Sequence, residues 1–139
     1  MKIPSKKELE RIRREYPVGT IIELIEMRDK YAPPVGTLGE VVGCDDAGDL
    51  LLRWATGSRL KIILSEDRFR KVDGVITVCY GKREYWKSRA EAIRFFLEGV
   101  AATEGSECER YTKIYTELIS GKSVCTDETD LKKKMYITQ

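Results

Sequence analysis

Histidine is absent from this chain of 139 residues. That excludes Ser-His-Asp and Cys-His nucleophilic sites and leaves carboxylate or lysine chemistry, for which no paired-acid motif stands out. The four cysteines, Cys44, Cys79, Cys108 and Cys125, include no C-x-x-C pair. A zinc site needs ligand pairs at short spacing, so no metal is expected, and without a secretory context free thiols are expected rather than disulfides. No apolar run approaches the roughly 20 residues that span a bilayer, so no membrane partner is expected. Met1-Lys2-Ile3-Pro4-Ser5 passes straight into charged residues with no apolar signal core, which predicts a cytoplasmic protein. There is no G-x-x-x-x-G-K-[ST] loop, no dinucleotide fingerprint and no internal repeat, and no cofactor is expected.

What is present is a well-mixed, foldable composition: 42% hydrophobic and 35% charged residues with a net charge of +2. This argues for an ordered chain rather than a disordered one. A pI of 8.3 falls short of the strongly basic value of a dedicated nucleic-acid binder. The first fifteen residues nevertheless carry Lys2, Lys6, Lys7, Arg11, Arg13 and Arg14 against Glu8, Glu10 and Glu15. They read as a solvated helix or as a basic arm for RNA or DNA.

Short apolar runs bounded by turn residues fill the first half. Ser5-Lys6-Lys7-Glu8 is a capping box, and Pro17 ends the helix it opens. Ile21 to Met27 reads as a strand. Further strands are predicted from Glu40, over Leu50–Trp54, over Arg59–Leu64 and over Phe69–Val72, with turns at Asp45–Gly48 and Thr56–Ser58. This is the pattern of a small β-barrel. Asp73-Gly74 marks a boundary. Val75–Tyr80 and Arg83–Trp86 read as a hairpin with a type II′ turn at Gly81-Lys82. Ser88-Arg89-Ala90-Glu91 and Ser106-Glu107-Cys108-Glu109 read as capping boxes of two helices. The first helix would bury Ile93, Phe96, Leu97, Val100 and Ala101. The second would bury Cys108, Tyr111, Tyr115, Leu118 and Ile119 and stop at Gly121. The expected fold is α+β: residues 1–73 an N-terminal helix plus small barrel, 74–126 a β-β-α-α unit, and 127–139 a polar tail.

Tyr16-Pro17-Val18-Gly19-Thr20, Tyr31-Ala32-Pro33-Pro34-Val35-Gly36-Thr37, Val42-Gly43-Cys44-Asp45-Asp46-Ala47-Gly48 and Asp67-Arg68-Phe69-Arg70-Lys71 resemble an uncharacterised domain family. That family is carried by phages, plasmids and conjugative elements of Gram-positive bacteria. The resemblance implies a small barrel of the Src-homology-3 kind and brings no catalytic residues. Tyr80-Gly81-Lys82-Arg83-Glu84-Tyr85-Trp86 through Glu104-Gly105-Ser106-Glu107 and Arg110-Tyr111 resembles a second module of such elements. This module is associated with proteins that blunt host defence, including anti-CRISPR inhibitors.

Three constellations are candidates for partner contact. Lys82, Arg83, Tyr85, Lys87 and Arg89 interleave cations with aromatics, which suits nucleic acid or a protein groove, although Trp86 beside them is expected to plug the core of so small a unit. Asp45, Asp46 and Asp49 could mimic phosphates toward a basic groove, or simply be a solvated turn. Tyr31, Trp54 and Arg59 could line a barrel surface. The expected function is a non-enzymatic inhibitor of a host defence nuclease or its guide-RNA complex, a type II RNA-guided enzyme blocked at its nucleic-acid groove. The alternative is a nucleic-acid-binding accessory protein of plasmid transfer or phage replication.

Overall fold

The computed structural model describes residues 3–129. The chain divides into two compact units between Asp73 and Gly74.

Unit 1 begins with α1 (Lys6–Glu15), where the Ser5 hydroxyl accepts the Glu8 N–H at 3.2 Å. The strands are β1 (Ile21–Glu26), β2 (Leu38–Cys44), β3 (Leu50–Trp54) and β4 (Arg68–Lys71). They form an antiparallel sheet in the order β3-β2-β1-β4. The sheet is open, and no closed barrel exists among the described residues. The strand expected over Arg59–Leu64 reduces to one bridge, Leu50 to Ile62. The chain there turns away at once, because the Asp67 carboxylate takes the Ile63 N–H at 2.8 Å. Alternation along β1 and β3 sends Ile22, Leu24, Leu50, Leu52 and Trp54 into one core with Val41, Ile62 and Ile12 of α1. Trp54 is 1% exposed, and its indole N–H donates to the Leu60 carbonyl at 2.7 Å. It is therefore core, not part of a binding surface.

Unit 2 is β-β-α-α-β rather than the β-β-α-α expected. It comprises β5 (Val75–Cys79), β6 (Lys82–Trp86), α2 (Arg89–Ala102), α3 (Gly105–Ile119) and β7 (Val124–Thr126). The sheet order is β6-β5-β7. β7 runs parallel to β5, and a parallel partner needs a long crossover, which α2 and α3 supply. The core gathers Val75, Ala92, Phe96, Ile114, Leu118 and Cys125. Trp86 joins it, its ring 5.4 Å from Phe95 and 6.3 Å from Phe96, with its N–H donating to the Thr77 hydroxyl at 2.8 Å.

The Ser88 cap is present, its hydroxyl accepting from the Glu91 N–H. The third capping box is not, since α3 starts after Glu104 without a side-chain cap. The buried face of α2 keeps the expected Phe96 and Ile93 but turns toward Ala92, so Leu97 is about half exposed. On α3, Ile114 is buried and Ile119 is exposed. At its end, Gly121 N–H bonds Leu118 O and Lys122 N–H bonds Glu117 O, the paired closure of a Schellman motif.

Candidate functional site

The hairpin turn lies one residue earlier than its sequence pattern predicts. Cys79 pairs with Lys82, so the two loop residues are Tyr80 and Gly81. Both have positive φ, 52° and 77°. This is the type I′ geometry, which matches the twist of the flanking strands and normally takes Asn-Gly or a related pair. A tyrosine at positive φ is a genuine outlier.

Two residues from other elements hold Tyr80. Asp127, just past β7, is 7% exposed. Its Oδ2 accepts the Tyr80 N–H at 2.8 Å and the Arg110 guanidinium at 3.0 Å. Arg110, on α3, lies over the Tyr80 ring at 4.5 Å from its centre. Beside this group is a hollow of about 230 Å³ lined by Thr77, Cys79, Lys82, Glu84, Phe95 and Tyr111, among others. Tyr80 is 58% exposed and Phe95 49% exposed at its rim. The floor is chemically quiet, because burial first and the Asp127 charge second push the Cys79 thiol up, which keeps it protonated.

The residues expected from sequence are placed as follows. Lys82 is at the rim of the hollow and pairs with Glu84 at 3.4 Å. Arg83 and Tyr85 alternate onto the opposite side of β6, with the guanidinium 5.8 Å from the Tyr85 ring. Lys87 is exposed. Arg89 closes the C-terminal end of α3, donating to Leu118 O at 3.0 Å and Lys122 O at 2.9 Å, where a cation meets the negative end of the helix. In unit 1 each acid of the turn is paired with a cation. Asp45 accepts from the N–H groups of Ala47 and Asp49 and pairs with Lys61, which also pairs with Asp49 at 3.0 Å. Burial raises the Asp45 carboxyl, but these N–H groups and Lys61 outweigh it and hold it below its ordinary value. Asp46 pairs with Arg13 at 3.4 Å.

Tyr80, Phe95, Arg110 and Asp127 are therefore the residues that the motif reading missed. Gly81 was the available signal, since glycine as the second loop residue points to a type I′ turn with Tyr80 at the first position.

Glu117 anchors β7 to α3. It accepts from Lys113 at 2.8 Å, Lys122 at 3.4 Å and the Thr126 N–H at 2.9 Å. Burial raises its carboxyl, but the Lys113 and Thr126 bonds prevail and the folded group sits below its ordinary value of 4.5. A depressed carboxyl contributes stability that is fully present above the unfolded value and is lost as pH falls through the folded one. Thermal melts should thus show wild-type unit 2 weakening below about pH 4.5. Glu117→Gln should be less stable at neutral pH by about 1–2 kcal/mol and should have a flatter acid limb. Parallel pH profiles of the two proteins would contradict this role.

Comparison with curated proteins and with solved structures found no match. Residues 5–72, from the Ser5 cap to the end of the β4 sheet edge, match the model of a domain of unknown function (DUF4314), so the match stops where unit 1 stops.

Proposed function

We propose that the protein is a non-catalytic binding protein that engages a protein partner through the tip of the β5–β6 hairpin and the aromatic hollow beside it. The observation that carries this reading is Tyr80, an exposed aromatic held at φ 52° by a buried carboxylate and stacked under an arginine. A left-handed conformation costs a non-glycine residue roughly 1–2 kcal/mol. The ring is largely in solvent, so folding gains little from it. Local rules broken in this way concentrate at functional positions. Tyrosine and arginine are the residues that anchor protein interfaces, and their fixed geometry lowers the entropy lost on binding. The hollow, at about 230 Å³, is below the roughly 300–1,000 Å³ of small-ligand pockets and suits a single apolar side chain.

The non-catalytic part of the reading is supported by how three buried or half-buried carboxylates are used. Glu23 is tied to Arg70, Asp127 to Arg110, and Glu117 to Lys113 and Lys122. Each is committed to a cation, which disfavours a role as a general base.

The partner we propose is a host RNA-guided defence nuclease of type II, blocked where it takes nucleic acid. This rests on the resemblance of the second half to proteins of mobile elements that blunt host defence. A cytoplasmic, mobile-element origin belongs to the same reading. So does an Src-homology-3-like ancestry for unit 1, which the strand order β3-β2-β1-β4 supports.

The test uses Tyr80→Asn. Asn-Gly is the preferred type I′ pair, so the variant should fold with unchanged stability as the turn gain offsets the lost arginine stack. The guide-loaded host nuclease is titrated with each protein while cleavage of a target duplex is followed. Wild type should suppress cleavage, and the variant should need at least about tenfold more. Equal potency would remove the hairpin tip as the site. A wild type that neither suppresses cleavage nor co-elutes with the nuclease would remove that partner.

A further inference from the structure

Arg13 and Arg14 sit in the last turn of α1, where cations are favoured, but the other exposed cations of α1 depart from the local rules of a solvated helix. Lys6 and Lys7 occupy the first turn, the positive end of the helix dipole, where anions are favoured. Lys7 and Arg11 are four residues apart and Arg11 and Arg14 three apart, so like charges are stacked on one face. Carboxylates are within helical reach, Glu8 of Arg11 and Glu10 of Arg14, yet among the described residues Lys7, Arg11 and Arg14 form no ion pair. Arg13, on another face, shows the contrast: it is bound to the Cys44 carbonyl and to Asp46. Lys7, Arg11 and Arg14 instead surround one shallow groove of about 350 Å³, together with Ser5 and Glu8.

The row of charge continues past the helix. Tyr16 packs on Phe69 of β4 at 5.3 Å between ring centres, and the Lys71 ammonium is 4.8 Å from the Tyr16 ring. Arg11 is near enough to Tyr16 to act on its hydroxyl, against burial and Glu15, which raise it. Four cations, Lys7, Arg11, Arg14 and Lys71, are thus strung along α1 and the adjoining end of β4. The nearby acids are Glu8, Glu10 and Glu15.

We propose that this row is a binding surface for the phosphate backbone of a nucleic acid, independent of the hairpin site of unit 2. Along the helix axis Lys7 to Arg11 advances about 6 Å and Arg11 to Arg14 about 4.5 Å, so long side chains from all three can make point contacts with successive phosphates. Tyr16 is partly covered by Phe69 and Lys71, so the surface lacks a free aromatic platform for bases. Recognition is therefore electrostatic and indifferent to sequence. A self-repelling row of charge loses little by meeting a polyanion, because the repulsion already present in the free protein is relieved on contact.

The test is fluorescence anisotropy with a short labelled DNA duplex, comparing the full chain with Lys7→Gln/Arg11→Gln/Arg14→Gln. Neutralisation removes like-charge neighbours and one of the two cations of the first turn, so the variant should melt at the same temperature or higher. With four phosphates neutralised, wild-type affinity should fall roughly 100-fold between about 50 and 200 mM salt, and the variant's only about threefold. Wild type should also bind at least tenfold more tightly at low salt. No binding by wild type at low salt, or a salt slope unchanged in the variant, would overturn the proposal. So would polyglutamate competing as well as unlabelled duplex, which would make an acidic protein surface the occupant.

Discussion

Trp54→Ala should cost unit 1 about 3–5 kcal/mol, the usual range for emptying a fully buried aromatic site. The unit ends at Asp73, and a domain of that size commonly has about 4–11 kcal/mol in total. Two features leave the site unable to relax. The indole N–H holds the Leu60 carbonyl, so truncation also leaves that acceptor without its donor. The ring also rests directly on the backbone at Gly39, where a Cβ would fall 2.7 Å from it. Urea unfolding followed by circular dichroism checks the loss, with Trp86 fluorescence as a separate reporter of unit 2. A cost below about 1 kcal/mol would show that Trp54 does not fill the core. The complementary change, Gly39→Val, overpacks the same spot and should cost about 1–3 kcal/mol.

Asp127→Ala should be the most damaging single change in unit 2 outside its apolar core, at about 3 kcal/mol. The carboxylate side chain is 1% exposed and serves both the Tyr80 N–H and Arg110. Its removal strands a backbone donor at a turn that is already strained, together with a guanidinium. Arg110 remains 33% exposed, and water reaching it keeps the cost at the lower end for a broken buried pair. Asp127→Asn keeps an acceptor for Tyr80 but loses the charge, and should cost about half as much. Guanidinium denaturation followed by tryptophan emission, with Trp86 reporting unit 2 and Trp54 unit 1, separates the three proteins. Equal stability of Asp127→Ala and wild type would mean that the turn holds itself. Ending the chain at Thr126 should reproduce the alanine result; of the expected polar tail 127–139, residues 130–139 lie outside the described residues.

Features set by neighbouring residues were legible in the sequence. The Ser5 and Ser88 caps are decided within four residues, and both form. β1 and β3 each run over five or more residues with turn chemistry beside them, so both fell where expected. What failed depended on contacts across the fold. Val124-Cys125-Thr126 is too short to show a period and is a strand only because β5 offers an edge. Leu97 and Ile119 have helical spacing but stand outside because the real contact line runs through Ala92, Phe96, Ile114 and Leu118. The candidate site was hardest to read. Its members come from a turn, two helices and the residue after β7, and no spacing rule connects Tyr80 to Arg110 and Asp127. The charged hairpin residues were visible as a motif, but alternation sent Arg83 and Tyr85 away from the hollow, while Arg89 turned out to close α3.

The parallel pairing of β7 with β5 also sets an order of events during synthesis. Every strand of unit 1 has its partners before residue 74, so that unit can mature while the rest is still being made. Ile76 must wait for Val124, 48 positions later (124 − 76), before its sheet is complete. The helical pair between them forms from near neighbours, but until Val124 emerges the inner border of β5 carries unpaired amide and carbonyl groups. A nascent chain is therefore most exposed to mispairing in that interval, and translation speed through residues 105–127 should govern its yield more than speed anywhere upstream.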